Sequence, residues 1–338
     1  MSPLSHNDSL IILLNNISTQ LSRSVAVFIF LFGVVGNILN ILVLSQRSLR
    51  SNSCAWLFLV SSIVNLISIL SGLITEMIGG WIIDPTTYIG WVCKLRAFLV
   101  FTTRTIAPWL IVLATIDRWL LSSVDAHRRQ KSTLKNAQRW TIIIIIFSIL
   151  LYAQLFYCYE ANLIDTPLEC YGKTVACRYI TDFSFSVITI LCPLFFMILF
   201  GLLTISNVQQ SQRRVQILQL QNKKPTKNKS SGSIGGNTEH KSKQRTERSL
   251  LRMLLVQVLL LTIFTFPLFL QKFYSTFSGE KKSPIEMAIN MFLYNLAVLI
   301  YFVSNGMPFY IYTLCGGTVF RKALSEFVLM MKRKMMCQ

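Results

Sequence analysis

Seven long apolar stretches constrain this 338-residue chain more than any other feature of its sequence. The hydrocarbon core of a bilayer is about 30 Å thick and a helix rises about 1.5 Å per residue, so a spanning helix needs about 20 apolar residues. Stretches of that length run approximately over 24–44, 54–78, 91–122, 138–159, 180–207, 250–274 and 287–312. They predict an all-α membrane protein folded as a seven-transmembrane helix bundle, with the polar third stretch at its centre.

The distribution of basic residues predicts the orientation of this bundle. The formal net charge is +19, yet 53% of the residues are hydrophobic and the basic ones fall between apolar runs, which argues against nucleic-acid binding. Segments 46–52, 123–139, 208–252 and 315–338 hold 23 of the 33 basic residues and lie on one side of the membrane. Because basic loops stay in the cytoplasm, we expect a multi-pass plasma-membrane protein with an extracellular N-terminus.

The chain divides into three predicted regions. Residues 1–23 form an extracellular tail without the basic start of a cleaved signal peptide, and Asn7 and Asn16 open glycosylation sequons. Residues 24–314 form the bundle, including a basic, polar segment, 209–248, predicted to be a disordered cytoplasmic loop lying against anionic membrane lipid. Residues 315–338 predict an amphipathic interfacial helix and tail, with Cys337 as a candidate palmitoylation site.

Charged residues at the cytoplasmic ends of two spans predict a switch. Asp117-Arg118-Trp119 ends the third span, and Glu247 lies near the cytoplasmic end of the sixth. An arginine held by Asp117 and Glu247 would latch these ends together until the spans separate. The alternative is that these charges are merely solvated at a helix end.

A second group of polar residues predicts a ligand pocket in the outer half of the bundle. Arg104 precedes Arg118 by 14 residues and so lies about 21 Å further out along the helix. A charge at that depth costs about 2.5–3.5 kcal/mol, so we expect it to face the interior beside a partner such as Glu76. The alternative is a structural ion pair that only fixes packing. The predicted pocket residues are Glu76, Arg96, Arg104, Gln271 and Asn290.

The order of several motifs resembles the rhodopsin-like family of G-protein-coupled receptors. Gly36-Asn37 in the first span resembles the family's Gly-Asn signature, and Asp117-Arg118-Trp119 resembles its Asp-Arg-Tyr motif. Further landmarks of this kind are Trp140 in the fourth span, Pro193 in the fifth and Pro267 in the sixth. The resemblance covers roughly 24–324 and implies a heterotrimeric G protein as partner, with the Asp-Arg-Trp segment at the coupling site.

Three departures from the family pattern bear on the switch. Asn65 stands where the family has an aspartate that holds sodium, which argues against sodium modulation. Phe264-Thr265-Phe266-Pro267 replaces Cys-Trp-x-Pro, so Phe264 or Phe266 would act as the rotamer switch. The seventh span carries Pro308 within a segment, 305–312, that replaces Asn-Pro-x-x-Tyr, and the tyrosine role could fall to Tyr310 or Tyr312.

The resemblance also implies an extracellular disulfide from Cys93, which precedes Arg118 by the family's spacing of 25 residues. Cys170 and Cys177, both in the loop after the fourth span, compete as its partner. The stretch 168–177 predicts a hairpin around Tyr171-Gly172-Lys173-Thr174, and this turn favours Cys177.

The predicted function is a receptor for an extracellular ligand, and a short peptide fits best. Its carboxylate or amidated terminus would meet Arg104 or Arg96. The Asp-Arg-Trp region and segment 309–314 resemble invertebrate neuropeptide receptors of the FMRFamide or thyrotropin-releasing-hormone type. The outer half of the third span has no aspartate of the kind that binds the ammonium of a monoamine in related receptors, and the middle of the seventh span has no lysine that could bind retinal. No cofactor, metal or enzyme chemistry is expected. The alternatives are an orphan or constitutively active seven-span receptor, or a transporter or channel.

Overall fold

The computed structural model describes residues 6–79, 84–163, 169–221, 236–277, 283–315 and 317–336. Within them, seven helical segments are long and apolar enough to cross a membrane, which confirms the predicted bundle. These spans are 8–44, 53–75, 90–122, 134–158, 175–211, 249–274 and 284–306.

The elements follow one another in a simple order. The helices that supply the spans are α1 (His6–Leu44), α3 (Ser53–Gly79), α5 (Gly90–Ser122), α7 (Leu134–Tyr152) with α8 (Leu155–Cys158), α9 (Val175–Ser184) with a π-helical segment (Phe185–Leu191) and α10 (Cys192–Gln221), α11 (Gly236–Phe277) and α12 (Pro284–Gly306). Short helices connect or follow them: α2 (Arg47–Arg50), α4 (Pro85–Tyr88), α6 (Ala126–Gln130), α13 (Pro308–Cys315) and α14 (Gly317–Met336). Two short strands, β1 (Tyr159–Glu160) and β2 (Tyr171–Gly172), complete the described fold.

The third span lies at the centre of the bundle, as its sequence predicted. In its most apolar stretch 72% of the residues are buried, against 28–56% in the other six spans. It packs against α3, α7, α10 and α11. A helix that is mostly buried among others can carry charges, because its polar groups find partners on the surrounding helices.

The first helix extends well beyond the predicted span. It begins at His6, so the described part of the predicted N-terminal tail is helical. The Asn295 side-chain amide donates to the Ser18 hydroxyl at 2.7 Å and ties this extension to the seventh span. Asn16 is exposed there, as a glycosylation site requires.

The fifth span contains a π-helical segment with a clear packing role. A π-helix shifts the hydrogen-bond register, and such segments often mark functional positions. The indole N–H of Trp109 donates to the carbonyl oxygen of Ile188 within the segment at 3.0 Å. The segment therefore joins the fifth span to the central third span.

The long connection between the fifth and sixth spans is more helical than predicted. Helix α10 continues to Gln221 and α11 begins at Gly236, so both described ends of 209–248 are helical rather than disordered. Each end extends an adjacent span, which spares it the cost of nucleating a new helix. The remainder, 222–235, lies outside the described residues.

The predicted hairpin around Tyr171-Gly172-Lys173-Thr174 is wrong. Tyr171 and Gly172 form strand β2, which pairs antiparallel with β1 in the register Tyr159 to Gly172. The hydroxyl of Thr174 accepts a hydrogen bond from the Cys177 backbone N–H at 3.2 Å and caps α9. Thr174 therefore starts a helix rather than completing a turn, because an N-cap threonine satisfies a helical donor.

The chain after the seventh span forms the predicted terminal helix. Pro308 is the first residue of α13 and directly follows Met307, which caps α12. At the first helical position the missing N–H of proline costs no hydrogen bond within the helix. In α14, Phe320 and Ala323 are buried while Arg321 and Lys322 are exposed. This helix is amphipathic, as predicted; Cys337 lies outside the described residues.

Candidate functional site

A cavity of about 260 Å³ opens among the ends of the spans that lie furthest from Arg118. The cavity is lined by residues from α3, α4, α5, α11, α12, the π-helical segment and both strands. Its polar and charged lining residues include Asp84, Arg96, Arg104, Glu169, Tyr171, Lys272 and Tyr294. The size and mixed polar and aromatic lining are those of a site for a small molecule or one end of a larger ligand.

Arg104 occupies the position that its sequence spacing predicted. Its side chain is buried, and the guanidinium carbon lies 4.8 Å from the Tyr301 ring centroid and 4.6 Å from that of Phe302. The Tyr301 hydroxyl donates to the Arg104 carbonyl oxygen at 3.3 Å. Cation–π contacts stabilise a desolvated guanidinium by about 2 kcal/mol. The side chain of Glu76, its predicted partner, lies outside the described residues.

Arg96 lies nearer the rim of the same cavity. Its guanidinium is 4.0 Å from the carboxylate of Asp84 and donates to the Gly72 carbonyl oxygen at 3.4 Å. Asp84 also caps α4 by accepting from the Thr86 N–H at 2.9 Å. The acid therefore positions both a short helix and the arginine.

Lys272, near the end of the sixth span, and Asp182, near the start of the fifth, form a buried ion pair. The ammonium lies 2.8 Å from the Asp182 carboxylate, and the side chains are 8% and 7% exposed. The Tyr171 hydroxyl donates to the other carboxylate oxygen at 3.4 Å, and the Tyr294 ring lies 5.2 Å from the ammonium. This cluster joins the fifth, sixth and seventh spans to strand β2 at the cavity wall.

Aromatic residues of the strand pair complete the wall and were missed as pocket residues. Tyr159 is buried, and burial raises the pKa of its phenol well above the ordinary value, so it stays neutral. Tyr159 and Tyr171 pack edge to face at 6.2 Å. Aromatic enrichment alone could not reveal this role, because the pairing of β1 with β2 brings the two rings together.

Gln271 and Asn290 do not line this cavity. The Gln271 side-chain amide donates to the Asn290 backbone carbonyl at 3.3 Å. Both lie on neighbouring helices, but their contact is with each other, and the described lining excludes them. Of the five predicted pocket residues, Arg96 and Arg104 reach the cavity.

Two disulfides hold the strand pair over the bundle, and the predicted pairing of Cys93 with Cys177 is wrong. Cys93 pairs with Cys170, with Cα atoms 5.7 Å apart, and Cys158 pairs with Cys177, with Cα atoms 5.4 Å apart. The start of α9 places Cys177 beside the end of α8, while Cys170 precedes β2 and faces the third span. Cys158 fell at the end of the predicted fourth span, 138–159, and its bridge was not predicted.

At the opposite end of the bundle, Asp117 is the hub of a buried polar cluster. Its carboxylate accepts from Arg118 at 2.7 Å, from the Ser53 hydroxyl at 2.8 Å and from the Ser132 hydroxyl at 2.5 Å. Arg118 also donates to the Asn52 side-chain oxygen at 3.4 Å. The alternative of solvated charges is therefore wrong, since both Asp117 and Arg118 are buried. The Glu247 side chain lies outside the described residues.

Trp119 faces away from this cluster. Its ring lies 5.2 Å from that of Phe200 on the fifth span, and the guanidinium of Arg128 lies 5.7 Å from its centroid. It therefore packs between the fifth span and the connection that contains α6.

Among the described residues, no group of His, Cys, Asp and Glu side chains could hold a metal ion. The described chain thus combines a ligand-sized cavity at one end of a seven-helix bundle with a buried arginine cluster at the other. A family model described as 7 transmembrane receptor (rhodopsin family) matches residues 36–305.

The chain belongs to the rhodopsin family of seven-transmembrane receptors. Membership places the receptor among signalling proteins rather than enzymes. No individual curated protein matches its sequence.

The receptor's landmark residues occupy distinct environments. The Asn37 side-chain amide donates to the carbonyl oxygens of Gly33 at 2.8 Å and Asn305 at 3.0 Å and so joins the first and seventh spans. Asn65 is buried and lines a small inner pocket of about 20 Å³, room for about one water. Trp140 is 54% exposed on the outer face of the fourth span.

Three prolines lie within the spanning helices of the receptor. Pro193 follows the π-helical segment and Pro267 lies inside α11. Pro108, inside the third span, was missed; it is buried and lines the inner pocket together with Phe264. A proline inside a helix removes a backbone donor and favours a bend.

The two candidate tyrosines of the seventh span have different partners. The Tyr312 hydroxyl donates to the Gln257 side-chain oxygen on the sixth span at 2.6 Å, and its ring stacks on Phe58 at 4.9 Å. Tyr310 instead stacks on Phe32 at 3.8 Å and donates to the Phe32 carbonyl oxygen at 3.2 Å. Tyr312 therefore joins α13, which follows the seventh span, to the sixth span, whereas Tyr310 joins α13 to the first.

Proposed function

We propose that the receptor binds a short extracellular peptide in the outer cavity and signals to a heterotrimeric G protein through the cluster around Arg118. The proposal takes the N-terminus as extracellular, because four basic segments share the side of the membrane on which Arg118 lies. The observation that carries it is the arrangement of cationic side chains in the cavity.

Three cationic residues, Arg96, Arg104 and Lys272, line the cavity at different depths. Asp84 and Glu169 line it as well, so both signs of charge are available to a ligand. A peptide terminus offers a carboxylate or carboxamide beside a side chain, which suits a guanidinium with aromatic neighbours. The volume of about 260 Å³ accommodates the end of a peptide, and the remainder would lie along the strand pair.

Signal transfer follows from the contacts that hold the spans together. A ligand that contacts Lys272 competes with the Asp182 pair, which joins the fifth span to the sixth. Further in, Tyr312 joins the sixth span to α13, which follows the seventh. A ligand that prefers the arrangement with these contacts changed shifts the population toward it. Movement of the fifth and sixth spans then releases Arg118 toward the G protein.

A peptide screen tests the proposal. Cells that express the receptor are exposed to short peptides with free or amidated C-termini, and calcium and cyclic-nucleotide responses are recorded. We expect Arg104→Gln to lower the potency of an active peptide at least about tenfold, the equivalent of about 1.4 kcal/mol of lost charge-assisted contact.

Gln271→Ala is the matched control, because Gln271 lies near the cavity without lining it. The potency of the peptide on this variant should stay within about threefold of that on the wild type, because the Gln271 side chain contacts Asn290 and not the ligand. An active peptide whose potency is the same in Arg104→Gln as in the wild type would contradict the assigned site. Signalling without any ligand would instead support the constitutively active alternative.

A further inference from the structure

Pro108 changes the backbone hydrogen bonding of the third span directly below the outer cavity. It lies inside α5, and in an α-helix the N–H of each residue donates to the carbonyl oxygen four residues earlier. Proline has no N–H, so residue 108 cannot donate to the carbonyl oxygen of Arg104. Arg104 is buried, and a buried backbone acceptor without a donor costs as much free energy as a lost hydrogen bond.

The seventh span supplies the donor that Pro108 lacks. The Tyr301 hydroxyl donates to the Arg104 carbonyl oxygen at 3.3 Å, across 197 positions of sequence. Tyr301 is only 1% exposed, so its hydroxyl needs a protein acceptor as much as the carbonyl needs a donor. The two groups satisfy each other and join the third span to the seventh.

The same tyrosine also contacts the charged end of the Arg104 side chain. The guanidinium carbon lies 4.8 Å from the centroid of the Tyr301 ring. Tyr301 is not among the described residues that line the outer cavity, whereas Arg104 and its second aromatic neighbour, Phe302, are. Tyr301 therefore reaches a ligand through Arg104 rather than by direct contact.

We propose that Tyr301 is a positioning residue for ligand recognition. Its hydroxyl, which Pro108 makes necessary, fixes the backbone of Arg104, and its ring fixes the guanidinium that meets the ligand. This inference rests on the proposed function for the ligand contact of Arg104 and adds the residue that sets the geometry of that contact. A binding side chain held at its backbone and at its charged end loses less conformational entropy when the ligand arrives.

The dependence on Pro108 distinguishes this role from general packing by Tyr301. Pro108→Ala restores an N–H at position 108, and the helix can then satisfy the Arg104 carbonyl oxygen by itself. The Tyr301 hydroxyl should contribute little in that background. A double-mutant cycle measures this dependence, because the effect of Pro108→Ala alone cancels when Tyr301→Phe is compared in the two backgrounds.

The first measurement is thermal denaturation of the purified full receptor without ligand. Tyr301→Phe keeps the ring and removes the hydroxyl, so it should lower the apparent Tm by at least about 3 °C in the wild type and by no more than about 1 °C in Pro108→Ala. Tyr312→Phe is the matched control, because it removes a buried hydroxyl whose acceptor is the Gln257 side chain. Its effect on the Tm should agree between the two backgrounds within about 1 °C.

The second measurement separates positioning from stability. The potency of an active peptide is recorded for Tyr301→Phe in the wild type and in Arg104→Gln. We expect a loss of at least about fivefold in the wild type and of no more than about twofold in Arg104→Gln, because the guanidinium that Tyr301 positions is then gone. The loss of Tm from Tyr301→Phe should remain at least about 3 °C in Arg104→Gln, because the backbone carbonyl is still present.

Two results would overturn the inference. An equal loss of Tm from Tyr301→Phe in the wild type and in Pro108→Ala would refute the role of the hydroxyl. An equal loss of potency with and without the guanidinium would refute the positioning role, and this cycle decides even if Pro108→Ala does not fold. The thermal cycle needs no ligand, so its failure is distinguishable from failure of the proposed function, which appears as a receptor that no peptide activates.

Discussion

Removing the acidic partner of Lys272 should destabilise the receptor strongly. Asp182→Asn keeps the size and the acceptor for Tyr171 but leaves a buried ammonium beside a neutral amide, 2.8 Å away in the native geometry. Breaking a buried ion pair on one side costs about 3–5 kcal/mol, because the remaining charge is desolvated without compensation. At about 2 °C per kcal/mol, we expect an apparent Tm lower by at least about 6 °C.

The assay is thermal denaturation of the purified receptor at one heating rate. Glu326→Gln is the matched control, because it also removes the acid of a lysine pair but at a site where the side chains are 79% and 54% exposed. It should change the Tm by no more than about 2 °C, since exposed pairs contribute about 0–1 kcal/mol.

A double variant separates the unpaired charge from lost packing. Lys272→Met in the Asp182→Asn background replaces the unpaired ammonium by an unbranched apolar side chain. The apparent Tm should therefore rise most of the way back to the wild-type value. If the double variant were as unstable as Asp182→Asn alone, or if that single change matched the exposed control, the reasoning about this pair would be refuted.

Two further substitutions test contacts between spans, each by thermal denaturation against a matched variant. Tyr312→Phe should lower the free energy of unfolding by about 1–3 kcal/mol, because the buried side-chain oxygen of Gln257, which accepts from Tyr312 at 2.6 Å, loses its donor. Tyr310→Phe should lower it less, because Tyr310 is partly exposed. Equal losses would count against the interior role of Tyr312. Gly306→Ala should lower the free energy of unfolding by about 1–3 kcal/mol, because the added carbon would lie 3.0 Å from the backbone of the first span. Gly201→Ala should be neutral or slightly stabilising, because its added carbon would lie 3.8 Å from the nearest atom. A neutral Gly306→Ala would contradict the close contact between the helices.

The spans and the central position of the third helix were predictable because they depend on local composition. An apolar run of 20 residues has few alternatives to a spanning helix, and a charged residue within it must find the protein interior. The same reasoning predicted that the side chain of Arg104 faces the protein interior, whereas it left open whether Asp117 and Arg118 are buried or solvated. The terminal amphipathic helix was predictable because its period is visible in the sequence.

The outer end was harder to predict because its contacts depend on where short elements begin. The cap at Thr174 starts α9 early enough to bring Cys177 to Cys158, which leaves Cys170 for the third span. The sequence contains turn-forming residues there, but it does not show whether a turn or the start of α9 forms at Thr174. The same limit hid the pairing of Lys272 with Asp182, because that contact depends on how the fifth and sixth spans lie side by side.

Contacts across long sequence separations account for the remaining differences. Ser53, the first residue of α3, and Ser132, in the connection between α6 and α7, meet at Asp117 although neither belongs to its motif. Only the packing of both segments against the third span gives the two hydroxyls a common partner. Similarly, Gln271 and Asn290 are polar residues near span ends, yet the Gln271 side chain donates to the Asn290 backbone carbonyl and neither residue lines the cavity.

The central claim is that occupancy of the outer cavity is communicated to the buried arginine at the inner end. Ligand binding and nucleotide exchange on a heterotrimeric G protein, measured on the same nanodisc-reconstituted receptor with a peptide identified in the screen, test it directly. The account predicts that Arg118→Ala keeps peptide affinity within about threefold while peptide-stimulated exchange falls at least about tenfold. Peptide-stimulated exchange at the wild-type rate in Arg118→Ala would contradict it.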